Sequence, residues 1–289
     1  MSCFKSGAGQ TSEHEVIKAA MAGAGEKKIW KAFLINLDRS KDRLEVTGKR
    51  LDELGMDWQR VAGVDGQQLQ LSDYVGVDRS GFLWQHGRYI EKGDIGCYLS
   101  HIKALQAFLA SEAAFGLILE DDVDFPDDFL SLVDHFLAAC NQWDVLKISG
   151  RHHGLPVPLA RLGRDHRLVA FLTRHTGAAA YFVNRFAAQR YIERLLPMRV
   201  PYDHVFDRAW HFGFRFRGVV PLPVTAHSFG ESTIKHARKL RKPWAYKLPK
   251  LAARAVNETQ RGLHYLSRGL VIPRCAWPAS RASKNRQEP

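Results

Sequence analysis

From Trp30 the chain reads WKAFLINL, a largely apolar run closed by Asp38-Arg39-Ser40, and this pattern predicts a buried strand over 30–37. Ser40 is placed to cap a helix running to about residue 54, with Leu44, Leu51 and Leu54 on one face and Gly55 ending it. A short strand over 58–62 and the turn Gly63-Val64-Asp65-Gly66 complete a β-α-β unit, the opening of an open α/β sheet. Residues 67–93 carry no clear period and read as a surface excursion. Asp94 is placed to cap a helix over 95–110, where Leu99, Ile102, Leu105, Phe108 and Leu109 recur at helical spacing. The apolar run 115–119 reads as a strand that discharges into Glu120-Asp121-Asp122-Val123-Asp124.

The alternation continues with a helix near 128–139, strands near 145–148, 169–172 and 178–183, and a His-, Arg- and Pro-bearing loop over 151–167. Asn184 caps a helix to about residue 196, a further helix is expected over 202–211, and a strand over 214–220 closes the body. The expected fold class is α/β, an open mixed sheet flanked by helices, followed by a basic C-terminal extension.

Charge changes this picture only at the C-terminus. The 289 residues carry a formal net charge of +12. Residues 1–234 hold 28 basic and 28 acidic residues, whereas 235–289 hold 14 basic and two acidic ones. The expected organisation is a loose leader (1–26), a neutral domain (27–238) and a basic extension (239–289). In the extension Lys and Arg alternate with Trp244, Tyr246, Leu248, Leu251, Leu263, Tyr265 and Trp277, while Pro243, Pro249, Pro273 and Pro278 argue against one long amphipathic helix. Basic residues interleaved with apolar ones fit adsorption to an anionic membrane surface; single-stranded nucleic acid and a solubilising tail are the other readings.

Composition excludes several classes. With 45% hydrophobic and 25% charged residues the chain is neither globally disordered nor fibrous. No apolar run reaches the length of a spanning helix, and the first 25 residues show no secretory pattern. Four singly placed cysteines fit a reducing compartment, so the expected location is cytoplasmic.

The candidate chemistry sits at 120–128, where six of nine residues are acidic. At the carboxyl end of a buried strand such a cluster is costly unless a cation or hydrogen bonds compensate it, and that end is where open α/β sheets bind ligands. Alternation in an extended segment puts Glu120 and Asp122, and Asp124 if extension continues, on one side. Carboxylate oxygens suit Mn²⁺ or Mg²⁺ held against a diphosphate. Asp127 and Asp128 read as helix-capping residues. Dinucleotide, P-loop, zinc and nucleophile-elbow motifs are absent from the sequence, His152-His153 included.

Taken together, FLINLDRSKDRLE (33–45), LGMDWQRVAGVDG (54–66), GDIGCYLSHIKALQ (93–106) and LILEDDVDF (117–125) resemble glycosyltransferase family 25, the lipo-oligosaccharide galactosyltransferases and their relatives. Weaker matches follow in TGAAAYFVNRFAAQRYI (176–192), VPYDHVFD (200–207) and STIKHAR (232–238). The resemblance implies a GT-A-like fold, a UDP-hexose donor, an inverting displacement, a metal at the acidic motif and a glycan or lipid-linked acceptor. Carried onto this chain, Glu120, Asp122 and Asp124 are the metal candidates, and Asn36, Asp38, Arg39, Asp65 and Asp121 lie near the donor. Arg39 could instead serve a local salt bridge and Asp65 a turn. Asp203 and His101 are candidates for activating or positioning the acceptor hydroxyl; capping of the next helix is the structural alternative for Asp203. The basic tail would hold the enzyme at the cytoplasmic membrane face. A nucleic-acid-binding protein or metal-dependent nuclease is the competing class, disfavoured by the neutral body.

Overall fold

The computed structural model describes residues 29–70, 76–150, 154–226 and 247–269. The leader 1–26, His152-His153, STIKHAR, Trp244, Tyr246, Trp277, Cys3 and Cys275 lie outside the described residues.

The chain builds β1 (Trp30–Asn36), α1 (Lys41–Glu53), β2 (Trp58–Ala62), α2 (Arg79–His86), α3 (Lys92–Ala110), β3 (Phe115–Glu120) and β4 (Val123–Asp124). It continues through α4 (Phe129–Ala138), β5 (Val145–Lys147), β6 (Pro156–Leu162), β7 (His166–Phe171), β8 (Ala180–Asn184) and α5 (Arg185–Arg194). Two one-turn helices, α6 (Tyr202–Val205) and α7 (Ala209–Phe212), precede β9 (Phe216–Val220), β10 (Thr225–Ala226) and the terminal helix α8 (Lys247–His264).

Eight strands form one open mixed sheet in the order β2-β1-β3-β8-β5-β9-β7-β6, as expected for the α/β class. β1 pairs in parallel with β2 and β3, and β8 runs antiparallel between β3 and β5. The central strands are apolar throughout because both sheet faces are covered. Phe33, Ile118 and Tyr181 point to the face packed by α3, α5 and α6; Leu34, Leu117 and Phe182 point to the other, with Phe136 of α4 and Trp143.

Several expectations need correction. The stretch 67–93 contains α2, whose start is capped by Asp78 accepting from the Gly81 N–H at 2.8 Å and whose end turns at Gly87 with φ 74°. Only Phe82 of this short helix is fully buried, so no repeating period marked it. The loop expected over 151–167 contains β6. Its Pro156 and Pro158 are tolerated because β6 is the sheet's outer strand. Helix α3 begins at Lys92 rather than after Asp94; Glu91 is the cap, and Asp94 closes a capping box by accepting from the Glu91 N–H at 2.9 Å. The helix expected over 202–211 is divided, because the Tyr191 hydroxyl takes the Phe206 carbonyl at 2.6 Å and the ladder breaks there.

The largest correction concerns the extension. Residues 247–264 form one helix with Pro249 in its first turn, where no helical N–H partner is required. Its inner side packs on α2 and α7. Arg261, 2% exposed, pairs with Asp207, 1% exposed, at 3.0 Å, and its guanidinium lies 4.8 Å from the Trp210 ring. Leu248, Leu251, Val256 and Leu263 of the same helix remain exposed. Among the described residues no helix is long and apolar enough to cross a membrane.

Candidate functional site

Strand β3 ends at Glu120, and the turn at 121–122 gives Glu120 and Asp121 different surroundings. Asp121 turns towards β1 and α1. It accepts from Asn36 Nδ2 at 2.7 Å and faces Arg43 at 3.3 Å, while Thr47 Oγ1 donates to its carbonyl at 3.1 Å. Burial raises the Asp121 pKa, and these two donors work against the rise.

Glu120 turns towards α3. Its Oε1 stands 3.2 Å from His101 Nε2, and Tyr181 Oη lies 3.3 Å from the opposite ring nitrogen. His101 is 1% exposed and stacks on Tyr202 with ring centroids 4.0 Å apart and planes within 3°. Tyr202 and Tyr181 share a hydroxyl hydrogen bond of 2.8 Å. Cys97, one turn before His101, completes a group whose Sγ, ring nitrogen and carboxylate oxygen all lie within 4.8 Å of one another. Burial pushes the Cys97 thiol well up, and the charges of Glu120, Asp203, Asp94 and Asp122 add to the rise.

Asp203 opens α6 and faces the same space. It accepts a hydrogen bond from the Gly177 N–H, and Lys147, Arg174 and Glu120 act on it electrostatically. Its side chain is 36% exposed, yet surrounding protein desolvates it enough to raise its pKa. Lys147 fixes these surroundings: its buried Nζ donates to the carbonyls of His175 and Thr176 at 2.9 Å each, and to that of Gly177. Burial lowers the Lys147 pKa to about 7. Gly177 takes φ 87°, a conformation open to glycine, and so presents its N–H to Asp203.

The floor beside the cleft depends on two close approaches. A β-carbon at Gly96 would stand 2.6 Å from the Val64 carbonyl oxygen, so only glycine lets α3 meet the Val64-Asp65-Gly66 turn. Ser100 Oγ locks that contact, accepting from the Val64 N–H at 2.8 Å.

The expected site residues therefore divide. Glu120 and His101 are in direct contact, and the charges of Glu120, Asp122 and Asp203 all act on the Cys97 thiol, so these groups belong to one neighbourhood. Asn36, Asp121 and Asp38 are joined on the β1 side through Arg60, which donates to Asn36 at 3.1 Å and pairs with Asp38. Arg39 pairs with Asp65 at 3.1 Å, and Asp65 also caps its turn by accepting from the Gln67 N–H at 3.0 Å. Asp124 does not join Glu120 and Asp122. It is exposed and borders a shallow depression against Thr47, Lys49 and Arg50 of α1, because β4 pairs with β10 instead of extending β3. Sequence reading missed Cys97, although its spacing of four from His101 on a helix marks a shared face. It also missed Tyr181, Tyr202 and Lys147; the one basic residue in the apolar run Val145–Ile148 was the available signal for the last.

The model of glycosyltransferase family 25 (LPS biosynthesis protein) matches residues 29–154. Human inactive glycosyltransferase 25 family member 3 is 28% identical over 193 residues, 61% of this chain and 31% of that protein. Human procollagen galactosyltransferase 2 is 28% identical over 134 residues, 44% of this chain and 21% of its own. A glycosyltransferase 25 family member of Aedes aegypti is 34% identical over 122 residues, 39% of this chain and 20% of its own. The chain thus spans about a third or less of the curated relatives it matches. Among solved structures, S. aureus TarS 1–349 in complex with UDP-GlcNAc overlays with a TM-score of 0.39 at 11% identity, covering 83% of this chain and 73% of that one. Relatives at equal identity include proteins named inactive and proteins named galactosyltransferases, so activity must be argued from the cleft.

The raised Asp203 pKa has a measurable consequence. The folded state holds this proton more tightly than the unfolded chain, so ionising Asp203 costs stability as pH rises from the ordinary carboxylate value through the folded pKa. Asp203→Asn removes that cost. Urea denaturation across pH values from about 4 to 8 should show the variant gaining on the wild type as pH rises; a difference independent of pH contradicts the assignment.

Proposed function

We propose that this chain, whose residues 29–154 form a glycosyltransferase family 25 domain, transfers a hexose, galactose first among the candidates, from a UDP-sugar to a glycan or lipid-linked acceptor by inversion. The observation that supports the reading is that Glu120 of the LILEDDVDF segment, at the carboxyl end of a central strand, and Asp203 act electrostatically on one another and, with Asp122, on Cys97.

The donor set fits a hard divalent cation. The charges of Glu120, Asp203, Asp94 and Asp122 all act on the Cys97 thiol, and carboxylate oxygens suit Mn²⁺ or Mg²⁺. Glu120 and Asp122 are the residues that would hold it; when bound, such an ion stabilises the charge that develops on the departing diphosphate. His101 acts through Glu120, fixing the carboxylate's direction from a buried, stacked position. Asn36 and Arg43 hold Asp121, and the Arg39–Asp65 pair and Arg60 border the β1 end, where a nucleotide would lie.

Asp203 is suited to take the acceptor hydroxyl's proton. Its pKa is raised towards the working range of a general base, and the Gly177 N–H and Lys147 wall hold it in place. Inversion requires attack from the face opposite the leaving diphosphate, and Asp203 on α6, a separate element from the strand that carries Glu120, is the base this reading assigns to that face.

The extension adds a surface for a membrane-borne acceptor. Leu248, Leu251, Val256 and Leu263 are exposed on α8 together with Arg254, an apolar face edged by positive charge. The full chain should bind anionic vesicles and lose that binding with rising salt or with Leu251→Glu/Leu263→Glu. Equal binding to neutral vesicles, or an unaffected variant, contradicts this role.

Thermal denaturation with a panel of UDP-hexoses, Mn²⁺ and an EDTA control tests the main reading. A donor at 100 times its Kd adds about 2.7 kcal/mol, which raises Tm by a few degrees. The expected result is a metal-dependent rise with one UDP-hexose, accompanied by slow UDP release. No rise with any donor, alongside one with an oligonucleotide, favours the nuclease class instead.

A further inference from the structure

On the far side of Asp203 from Glu120, five nitrogen-bearing side chains from four parts of the chain converge. Arg174 Nη1 lies 3.3 Å from His204 Nδ1, and the His204 ring meets the His86 ring at 4.6 Å. Arg208 donates through Nε to the His204 carbonyl at 3.1 Å and reaches Gln85 Oε1 at 3.4 Å. Lys250 of α8 crosses the end of α2, so close that a β-carbon at Gly87 would stand 3.1 Å from its Cδ. His86, Arg174, His204 and Arg208 are partly exposed and Lys250 is exposed, so the group lines an open groove.

Several of the carboxylates nearby are engaged with other cations. Asp94 is held by Arg88 in a two-pronged pair at 2.6 and 2.7 Å, with Glu91 4.0 Å from the same guanidinium, and Asp207 is buried against Arg261. Asp203 lies 4.0 Å from His204 Nε2, and Asp207 and Asp94 also act on Arg208 and His86. Burial first, and then the neighbouring cations, lower the pKa of both imidazoles to about 3. Converging cations in a partly desolvated groove are costly alone and favourable around an anion. This group is distinct from Arg39, Arg43 and Arg60, which pair with Asp65, Asp121 and Asp38 on the β1 side.

We infer that the groove between α2, α6 and α8 is the acceptor subsite, and that the acceptor it takes is a sugar bearing an anionic group, phosphate or carboxylate, which Arg174, Arg208 and Lys250 clamp beside Asp203. The inference rests on the reading of the cleft as a site of sugar transfer and specifies its second substrate. Arginine supplies the planar fork that phosphate and carboxylate accept, and lysine a further point charge. Neutral histidines can each donate one N–H. The terminal helix then has a chemical task, since Lys250 reaches the groove only because α8 packs on α2 and α7.

Calorimetric titration of the full chain with glucose 6-phosphate, glucuronate, glucose and inorganic phosphate tests this, each compared with the variant Arg174→Gln/Lys250→Gln. UDP-galactose binding measured on the same two proteins reports separately on the donor side. The expected result is that one charged sugar binds at least about tenfold more tightly than glucose, and that the double variant abolishes this preference while leaving UDP-galactose binding intact. Glucose 6-phosphate preferred points to a phosphorylated acceptor and glucuronate preferred to an acidic sugar. Equal binding of charged and neutral sugars overturns the inference, as does inorganic phosphate binding as tightly as either charged sugar, since the groove would then not read the sugar. If UDP-galactose fails to bind the wild type while a charged sugar binds, the transferase reading falls and the anion site stands.

Discussion

Three consecutive carboxylates at the end of a buried strand cannot share one environment, and the architecture around β3 follows from how they are separated. The turn that follows Glu120 gives Asp121 its own partners, apart from those of Glu120. Each carboxylate then requires partners from a different part of the chain. Asp121 draws Asn36 from β1 and Arg43 from α1, which ties the β-α-β opening to β3. Glu120 draws His101 from α3, and His101 in turn is held by Tyr181 of β8 and Tyr202 of α6. The acidic motif thus organises both sheet faces at once. Losing the Asn36 amide would leave a buried carboxylate short of a donor, a costly state in a desolvated position.

The opposite wall of the cleft depends on another buried charge. Lys147 sits at the end of β5 with no exposed surface, and its bonds to the 175–177 carbonyls fix the loop that presents the Gly177 N–H to Asp203. From Asp203 the structure passes through Asp207 to Arg261, so the terminal helix is joined to the cleft wall by a buried ion pair rather than hanging from the domain. His175 connects the two, its N–H donating to Asp207 at 3.2 Å. Of the 14 basic residues in 235–289, Arg261 is drawn into this buried pair.

How much of this was legible in the sequence follows from what patterns record. The strands β1, β3 and β8 are buried on both faces, so their continuous apolar runs announced them, and Asn184 announced α5 by a cap that is made as expected, accepting from the Ala187 N–H at 2.8 Å. The short helix α2 buries Phe82 alone, and no period can signal one anchor. The terminal helix was hidden by its prolines, since a proline's meaning depends on whether it falls in the first turn, which the sequence alone does not state. In the site, the carboxylates were legible as a cluster at a strand end, but the turn at 121–122 and the β4–β10 pairing that surrounds Asp124 are not local patterns. The groove of His86, Arg174, His204, Arg208 and Lys250 spans 165 positions of chain, and nothing local connects those residues.

The central claim is that the α3-side carboxylates, and not the outward Asp124, form the cation-binding half of the cleft. Electron paramagnetic resonance of free Mn²⁺, titrated into the wild type, Asp122→Asn and Asp124→Asn in the presence of UDP, measures this directly. The account predicts at least about a tenfold loss of Mn²⁺ affinity for Asp122→Asn and a change within about twofold for Asp124→Asn. Wild-type affinity in Asp122→Asn, or the loss appearing in Asp124→Asn instead, would contradict it.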